Sequence, residues 1–376
     1  MDEKQKTTLI VNAGSSSIKY ALYKADDLTL IEKKTIEIKT KEAYEDAFKE
    51  ILKLIDAHNV TGVGHRVVHG GKKYSAPQKI DAAVLADLEI LTPLAPLHQP
   101  HNLKAVKMIL DQFPAMPQVA CFDTAFHRTQ SKLNQMYAIP RALTDEGIIR
   151  YGFHGASYEY IASVLPQHTT GSRVIVAHLG NGASLCAMKD GKSVATTMGF
   201  TPLDGLMMGT RTGDIDPGVS FYLQEQKGLS LKEIANIFNK ESGLKGVSGI
   251  SPDMRTLLAS TAPEAKEAVD LFCLYVARHL ASLTVDLGGV DSIVFTAGIG
   301  ENSAVIREKI CKNLEHLGVQ LDSERNAENN SSIDAVNSKV RVHVIKTNEE
   351  LMMAQHVRHV MQPSPSVKPA PKNPAV

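Results

Sequence analysis

T-T-L-I-V-N-A-G-S-S-S-I-K-Y-A-L-Y, residues 7–23, is the stretch that decides the fold. Residues 7–12 form a β-branched, apolar run with strand character, A-G-S-S-S at 13–17 is a small-residue turn, and I-K-Y-A-L-Y at 18–23 is a returning strand. A third strand is predicted over Leu28 to Ile38. Residues 42–57 then read as an amphipathic helix with Ala47, Ile51, Leu54 and Ile55 on one face. A strand from Gly62 to Val68 runs into a Gly70-Gly71 turn, residues 101–112 read as helix, and Gln118–Phe122 reads as a strand. Val174–His178 is a further strand, closed by L-G-N-G at 179–182, with Ala183–Met188 as its hairpin partner. Pro263–Leu287 carries apolar residues at helical spacing and stops at Gly288-Gly289. Ser292–Thr296 is a strand leading into A-G-I-G-E-N, after which a helix is predicted as far as Leu317, ended by Gly318. Strands alternating with helices give an α/β fold. The strand–turn–strand plan of 7–23 returns at 174–188, as two half-molecules of similar design would produce.

The chain has 376 residues, which at ~150 per domain suggests two domains. Apolar residues make up 43%, so a largely disordered chain is excluded. Lys+Arg and Asp+Glu are 41 each, and this zero net charge gives no general pull towards nucleic acid or an anionic membrane. Cys121, Cys186, Cys273 and Cys311 form no C-x-x-C pair and are too sparse for a disulfide scaffold. The charged opening, Met1 to Thr8, is not expected to be a signal peptide. Leu271–Val285, the most apolar helical stretch, is broken by Arg278 and His279 and is expected to fall short of a membrane span. A reduced, cytoplasmic protein is the expectation. Residues 362–376 hold five of the 17 prolines and read as a disordered, polyproline-like tail.

Three small-residue turns follow strands: N-A-G-S-S-S-I-K (12–19), L-G-N-G-A-S (179–184) and A-G-I-G-E-N (297–302). Such turns let backbone N–H groups approach a phosphate, and Lys19 lies just past the first. None is a Walker loop or a dinucleotide fingerprint, and each alone reads equally well as an ordinary turn. The irregular stretch M-G-F-T-P-L-D-G-L-M-M-G-T-R-T-G-D-I-D-P (198–217) is too long to be idle inside a compact domain, and its Arg211 is suited to a phosphoryl group in transit. Arg66, in G-H-R-V-V-H-G-G (64–71), stands at a strand end where its fork can hold a carboxylate. The pairs His65/His69 and His98/His101 lack the helix or fuller ligand set a zinc site needs; His65, His69 and His101 read as polar turn residues. Asp123 directly follows a strand, where α/β active sites gather, and His154 precedes a helix starting near Ala156. Asn348 is a plausible N-cap with Glu349 in the first turn; capping and metal binding are the two readings there.

Taken together, these blocks resemble the acetokinase family. N-A-G-S-S-S-I-K, H-R-V-V-H-G-G, L-A-P-L-H, F-D-T-A-F-H, Y-G-F-H-G-A-S, H-L-G-N-G-A-S, the 198–217 stretch, S-G-I-S-P-D-M-R, A-G-I-G-E-N and T-N-E-E-L stand in that family's order from residue 7 to about 361. The resemblance implies two similar domains of the sugar kinase/actin type, mixed sheets flanked by helices, with an interdomain nucleotide cleft. Residues 1–150 with 349–361 would form the first domain, 151–348 the second, nucleotide-binding and dimerisation domain, and 362–376 the tail. The implied reaction is reversible: ATP and acetate give ADP and acetyl phosphate, with Mg²⁺ (Mn²⁺ as the alternative ion), in a homodimer without nucleic-acid or membrane partners. By resemblance, Asp123, His154 and Arg211 are catalytic. Arg66 binds the acetate carboxylate, and Val68, Leu97, Phe153 and Pro202 form the methyl pocket. Lys19, His178, Leu179, Gly180, Asn181, Gly182, Asp253, Met254, Arg255, Gly298, Ile299, Gly300, Glu301 and Asn302 serve ATP, and Asn12 and Glu349 the metal.

The chain also departs from that family's pattern. The stretch between Lys19 and Arg66 is shortened, Ala195 stands where the family commonly has Asp, Thr197 where it has Ser, and Gln99 where Asn is common. A carboxylate missing near Arg211 is expected to change how its loop is paired. Because acetate is ionised at pH 7 it needs no general base, so Asp123 is expected to orient Mg²⁺, its waters or the arginines. Two rivals stand: a propionate or butyrate kinase of the same family, and an actin-like ATP-binding protein without an acyl substrate. Arg66 with Val68, Leu97 and Phe153 argues against the latter, which has no need of a carboxylate-and-methyl pocket.

Overall fold

The computed structural model describes residues 5–14, 17–38, 40–96 and 98–361, with Lys41 as backbone only. The predicted proline-rich tail and Leu97 lie outside the described residues. The first sheet holds β1 (Thr7–Ala13), β2 (Ser17–Lys24), β3 (Leu30–Glu37), β4 (Val60–Val67), β5 (Gln78–Lys79) and β6 (Gln118–Phe122), in the order β3-β2-β1-β4-β6-β5. The second holds β7 (Arg173–Leu179), β8 (Ala183–Lys189), β9 (Lys192–Thr196), β10 (Ser292–Thr296) and β11 (Arg341–Val344), in the order β11-β10-β7-β8-β9.

The two sheets share one plan. β1 pairs antiparallel with β2 and β2 with β3, while β4 and β6 run parallel to β1. Correspondingly, β7 pairs antiparallel with β8 and β8 with β9, while β10 and β11 run parallel to β7. The repeated strand–turn–strand signal is therefore a structural repeat, with β5 an addition at the edge of the first copy.

Alternation along β1 divides the cores. Leu9, Val11 and Ala13 face helix Lys41–Ala57, whose Phe48, Ile51 and Ile55 are buried against them. Thr40 caps that helix by accepting the Ala43 N–H at 3.2 Å. Each such large apolar side chain contributes ~1.5–3 kcal/mol on burial. Ile10 points the other way and meets Met353, Ala354 and Val357 of the C-terminal helix Glu349–Met361. The chain thus returns to its first sheet at its end. Helix Pro263–Leu287 backs the second sheet through Ala265, Val269, Phe272, Val276 and Leu280. Contrary to expectation, it is long and apolar enough to cross a membrane. Its apolar face is nevertheless the core of the second sheet, which explains its composition.

Two further expectations are corrected. A-G-I-G-E-N is itself a short helix, Ala297–Asn302, and the continuous helix to Leu317 is instead Ala304–Lys312 followed by a 3₁₀ turn at Glu315–Leu317. Ser303, extended at φ −116° and ψ 90°, separates the two helices. His65 and His69 are buried, not turn residues. His65 lies inside β4 with Nε2 2.6 Å from Gln118 Oε1, and His69 Nδ1 accepts the Gly71 N–H at 2.9 Å.

Candidate active site

The three parallel strands of the first sheet deliver their ends to one edge. Asn12 is the last residue but one of β1, Arg66 the last but one of β4, beside Cys121 in register, and Asp123 follows β6. Arg66 Nε donates to Asp123 Oδ1 at 2.9 Å and Nη2 to Oδ2 at 2.5 Å, a bidentate fork; Nη1 reaches Asn12 Oδ1 at 3.5 Å. Burial pushes the Asp123 carboxyl upward against the pull of Arg66, whose own charge Asp123 strongly favours. Lys19 stands opposite Asn12 across the β1–β2 hairpin. Glu349 opens the C-terminal helix, capped by Asn348 Oδ1, which accepts the Leu351 N–H at 3.1 Å. The Glu349 carboxyl is raised by burial and by Glu350 and pulled back by Arg66 and Lys19.

The second sheet contributes from the facing side. β7 ends at His178 and Leu179, and Gly180, Asn181 and Gly182 turn the chain into β8. The rings of His154 and His178 stack with centroids 4.2 Å apart. Ser184 Oγ lies 2.8 Å from His154 Nδ1, and Ser157 Oγ lies 2.8 Å from His178 Nδ1. Burial lowers both rings, His178 to about 4, so both are neutral imidazoles at pH 7. His154 sits at φ +59° as it starts helix Gly155–Val164. Gly155 is required there, since a Cβ would lie 2.2 Å from the Asp123 carbonyl oxygen.

Arg211 completes the arrangement. A Cβ on Gly182 would lie 3.4 Å from His154 Nε2 and 3.5 Å from Arg211 Nη1, so the turn, the imidazole and the guanidinium adjoin. Arg211 Nη1 donates to the Pro202 carbonyl at 3.1 Å. Burial, then the charge of Arg66, lowers its pKa, and among the described residues no carboxylate pairs with it. Two guanidinium groups therefore face one another across the cleft, one neutralised by Asp123 and one not.

Arg211's loop is pinned by contacts that sequence reasoning missed. Thr210 Oγ1 donates to the Asn239 carbonyl at 2.8 Å, and Thr212 N–H to the Phe238 carbonyl at 3.1 Å. Arg150 pairs with Asp204 at 2.9 Å, and the Gly205 N–H donates to Asp214 Oδ1 at 2.8 Å. Ala195 borders a polar cavity of about 230 Å³ together with Arg150, Asp214 and His279. Arg150 thus takes its carboxylate from the loop itself.

Val68 and Phe153 are buried in one apolar cluster with Ala95, Leu206 and Met207. Pro202 and Arg211 line an adjoining cleft of about 850 Å³, with Ala95, Pro96 and His98 on the opposite wall. On the expected ATP side, Asp253 caps helix Met254–Ala259 and pairs with the exposed Arg255 at 2.6 Å, while Met254 is buried. Gly298, Ile299, Gly300, Glu301 and Asn302 form the short helix after β10. Glu301 Oε1 accepts the N–H groups of Ala297 at 2.8 Å and Thr347 at 3.0 Å, and so is committed to tying this helix to the segment before Glu349. Behind it, the fully buried Arg307 donates Nη1 to the Gly300 carbonyl at 2.9 Å. The structure thus brings together Asn12, Lys19, Arg66, Asp123 and Glu349 on one side, and His154, His178, Gly182 and Arg211 on the other.

Two α/β domains of one plan, with basic groups and glycine turns facing a shared cleft, define a two-domain kinase of the actin-like fold type. The acetokinase family model matches residues 25–355. An acetate kinase of Rhodopseudomonas palustris is 46% identical over 385 residues, covering 93% of this chain and 97% of that protein. An acetate kinase of Rickettsia akari is 42% identical, covering 93% and 98%. Among solved structures, a propionate kinase from Francisella tularensis superposes with a TM-score of 0.87 at 38% identity, covering 94% of this chain and 100% of that one. Porphyromonas gingivalis acetate kinase gives 0.84 at 36% identity, covering 95% and 100%. The chain belongs to the acetokinase family, whose members use ATP as a substrate.

Proposed function

We propose that this chain is an acetate kinase, transferring the γ-phosphoryl group of ATP reversibly to acetate to give ADP and acetyl phosphate. The observation that carries the reading is the proximity of Arg66 and Arg211 at a cleft that Pro202 and Ala95 line, with Val68 and Phe153 in the apolar cluster that includes Ala95. Arg66 holds the acetate carboxylate, and Val68, Phe153, Pro202 and Leu97 receive the methyl group. A carboxylate oxygen forms a bond to the γ-phosphorus as the bond to the bridging oxygen of ADP breaks. Phosphoryl transfer asks for alignment and for charge on the equatorial oxygens. Arg211 supplies the charge, and neutral His154 donates a hydrogen bond from Nε2. Acetate, with a pKa near the ~4.3 of Glu, arrives ionised, so no base is assigned.

The oxygen donors Asn12, Asp123 and Glu349 suit a hard cation. Mg²⁺ takes one or two carboxylates and completes its shell with water and phosphates, so the small protein set fits. Asn12 and Glu349 would hold it, and bound there it would neutralise phosphate charge. Lys19, the His178–Gly182 turn, Asp253–Arg255 and Gly298–Asn302 are assigned to ATP. We assign residues 1–150 with 349–361 to the first domain and 151–348 to the second, and place the enzyme in the cytoplasm, in keeping with four free, buried cysteines.

The named propionate kinase among the structural neighbours keeps a second reading alive. One methylene alters binding by only ~1–3 kcal/mol. Steady-state kcat/KM is expected to be highest for acetate, then propionate, then butyrate, with acetyl phosphate trapped as the hydroxamate. A tenfold preference for propionate would move the assignment to that acid.

We also propose a homodimer. Helix Pro217–Glu225 buries none of its own side chains, and Val219, Phe221 and Tyr222 are exposed on it with Leu231 nearby in sequence. Sedimentation equilibrium is expected to give twice the chain mass, and Phe221→Glu to shift the protein towards monomer. A wild-type monomer at micromolar concentration would reject the proposal.

A further inference from the structure

The fold buries several hydrogen-bonding atoms that no protein group satisfies, among them His69 Nε2 on a ring beside Phe153, Arg128 Nη1, both atoms of the Gln130 amide and Thr144 Oγ1. His69, Gln130 and Thr144 are 0%, 5% and 6% exposed. Buried polar groups are normally paired, so a group of orphans calls for an explanation.

The His69 proton can be placed. Nδ1 accepts the Gly71 N–H at 2.9 Å, which leaves Nε2 to carry the hydrogen of a neutral ring. Burial, then the nearby charge of Arg128, lowers the ring to about 4, in keeping with neutrality. His69 Nε2–H is therefore a buried donor with no acceptor. Arg128 presents a second. Its Nη2 donates to Gln135 Oε1 at 2.8 Å, and its guanidinium lies 5.6 Å from the Tyr151 ring centre. The His69 ring packs edge-on against that same tyrosine at 4.4 Å. Among the described residues no carboxylate pairs with Arg128, whose charge burial disfavours.

Two unmet donors, one of them on an uncompensated cation, ask for an acceptor that carries negative charge. We infer that Arg128 and His69, which pack on the same Tyr151 ring, hold a small inorganic anion of the halide class beside Phe153. The site is separate from Arg66 and Arg211 and does not depend on which acid the enzyme phosphorylates. A compact monovalent ion matches the single positive charge of Arg128 and the one N–H of a neutral His69 ring.

The test uses the intact protein and sodium bromide as the probe. Melting is followed in bromide and in isethionate, a much larger organic anion, at equal ionic strength. The expected result is a saturable rise in Tm of roughly 1–3 °C in bromide. A bromide-grown crystal should show an anomalous peak within hydrogen-bond distance of Arg128 Nη1 and His69 Nε2. Arg128→Met keeps the stem against Tyr151 but removes the charge, and should abolish the saturable rise. Equal melting in the two salts, or a water molecule at that position in the bromide crystal, overturns the inference. If Arg128→Met does not fold, the wild-type titration and the anomalous map decide alone.

Discussion

Replacing Arg211 by alanine is expected to lower kcat by roughly 10³–10⁵-fold, the range for a guanidinium that meets charge only in the transition state. The structure gives the reason for placing the loss in kcat. Arg211 is half-buried, is held by the Pro202 carbonyl at 3.1 Å, and has no carboxylate to neutralise it among the described residues. A desolvated cation left unpaired is costly, and the cost is offset when phosphoryl oxygens arrive. Arg66, by contrast, is already satisfied by Asp123. Arg211→Lys should recover only part of the loss, because one ammonium cannot span two oxygens as the fork does. Initial rates at saturating ATP and acetate decide this, with circular dichroism to establish that the loop change has not unfolded the domain. A loss of less than tenfold for Arg211→Ala would remove it from the reacting centre.

How much of this was legible beforehand follows from the range of each interaction. The β1–β2 and β7–β8 hairpins were readable because turn residues and β-branched runs are local signals. So was helix Pro263–Leu287, whose spacing persists over seven turns and ends at Gly288 in the left-handed conformation. The pairing of Arg66 with Asp123 was not readable from periodicity. It depends on β4 and β6 lying side by side in parallel, 57 residues apart, with Arg66 opposite Cys121. The same is true of the His154–His178 stack, which needs the first turn of helix Gly155–Val164 to cross the end of β7. The family resemblance supplied these residues as candidates without saying how they touch. His65 and His69 were not legible as buried because a glycine pair nearby marks a turn, whereas Gln118 and the Gly71 N–H each engage one ring nitrogen inside the domain. A-G-I-G-E-N was misjudged for a related reason. Two glycines mask helical propensity, and the deciding contacts come from Glu301, Thr347 and Arg307, remote in sequence or buried.

Asp123→Asn should separate a positional role from a proton-transfer role. In the native pair the two carboxylate oxygens accept from Arg66 Nε at 2.9 Å and Nη2 at 2.5 Å. Asparagine keeps the shape but offers one acceptor and turns an N–H₂ donor towards a guanidinium that has only donors. Arg66 then loses its fixed orientation and gains an unneutralised charge beside Arg211. The expected result is a fall in kcat of about 10²–10³-fold, comparable to removing one preorganised donor, with a raised KM for acetate and a weaker response to Mg²⁺. The pH–rate profile should keep its shape, because the acceptor carboxylate is ionised over the whole working range. A base role predicts the opposite pattern. The KM for acetate would stay unchanged, the acidic limb of the profile would vanish, and Mg²⁺ dependence would be intact. Glu349 gives the comparison needed to interpret either outcome. It shares the field of Arg66 but is assigned to the metal, so Glu349→Gln should alter the Mg²⁺ requirement while leaving the acetate KM near wild type. If both variants moved both quantities equally, the carboxylates would be acting as one undivided charge, and the separate roles given to them here would fail.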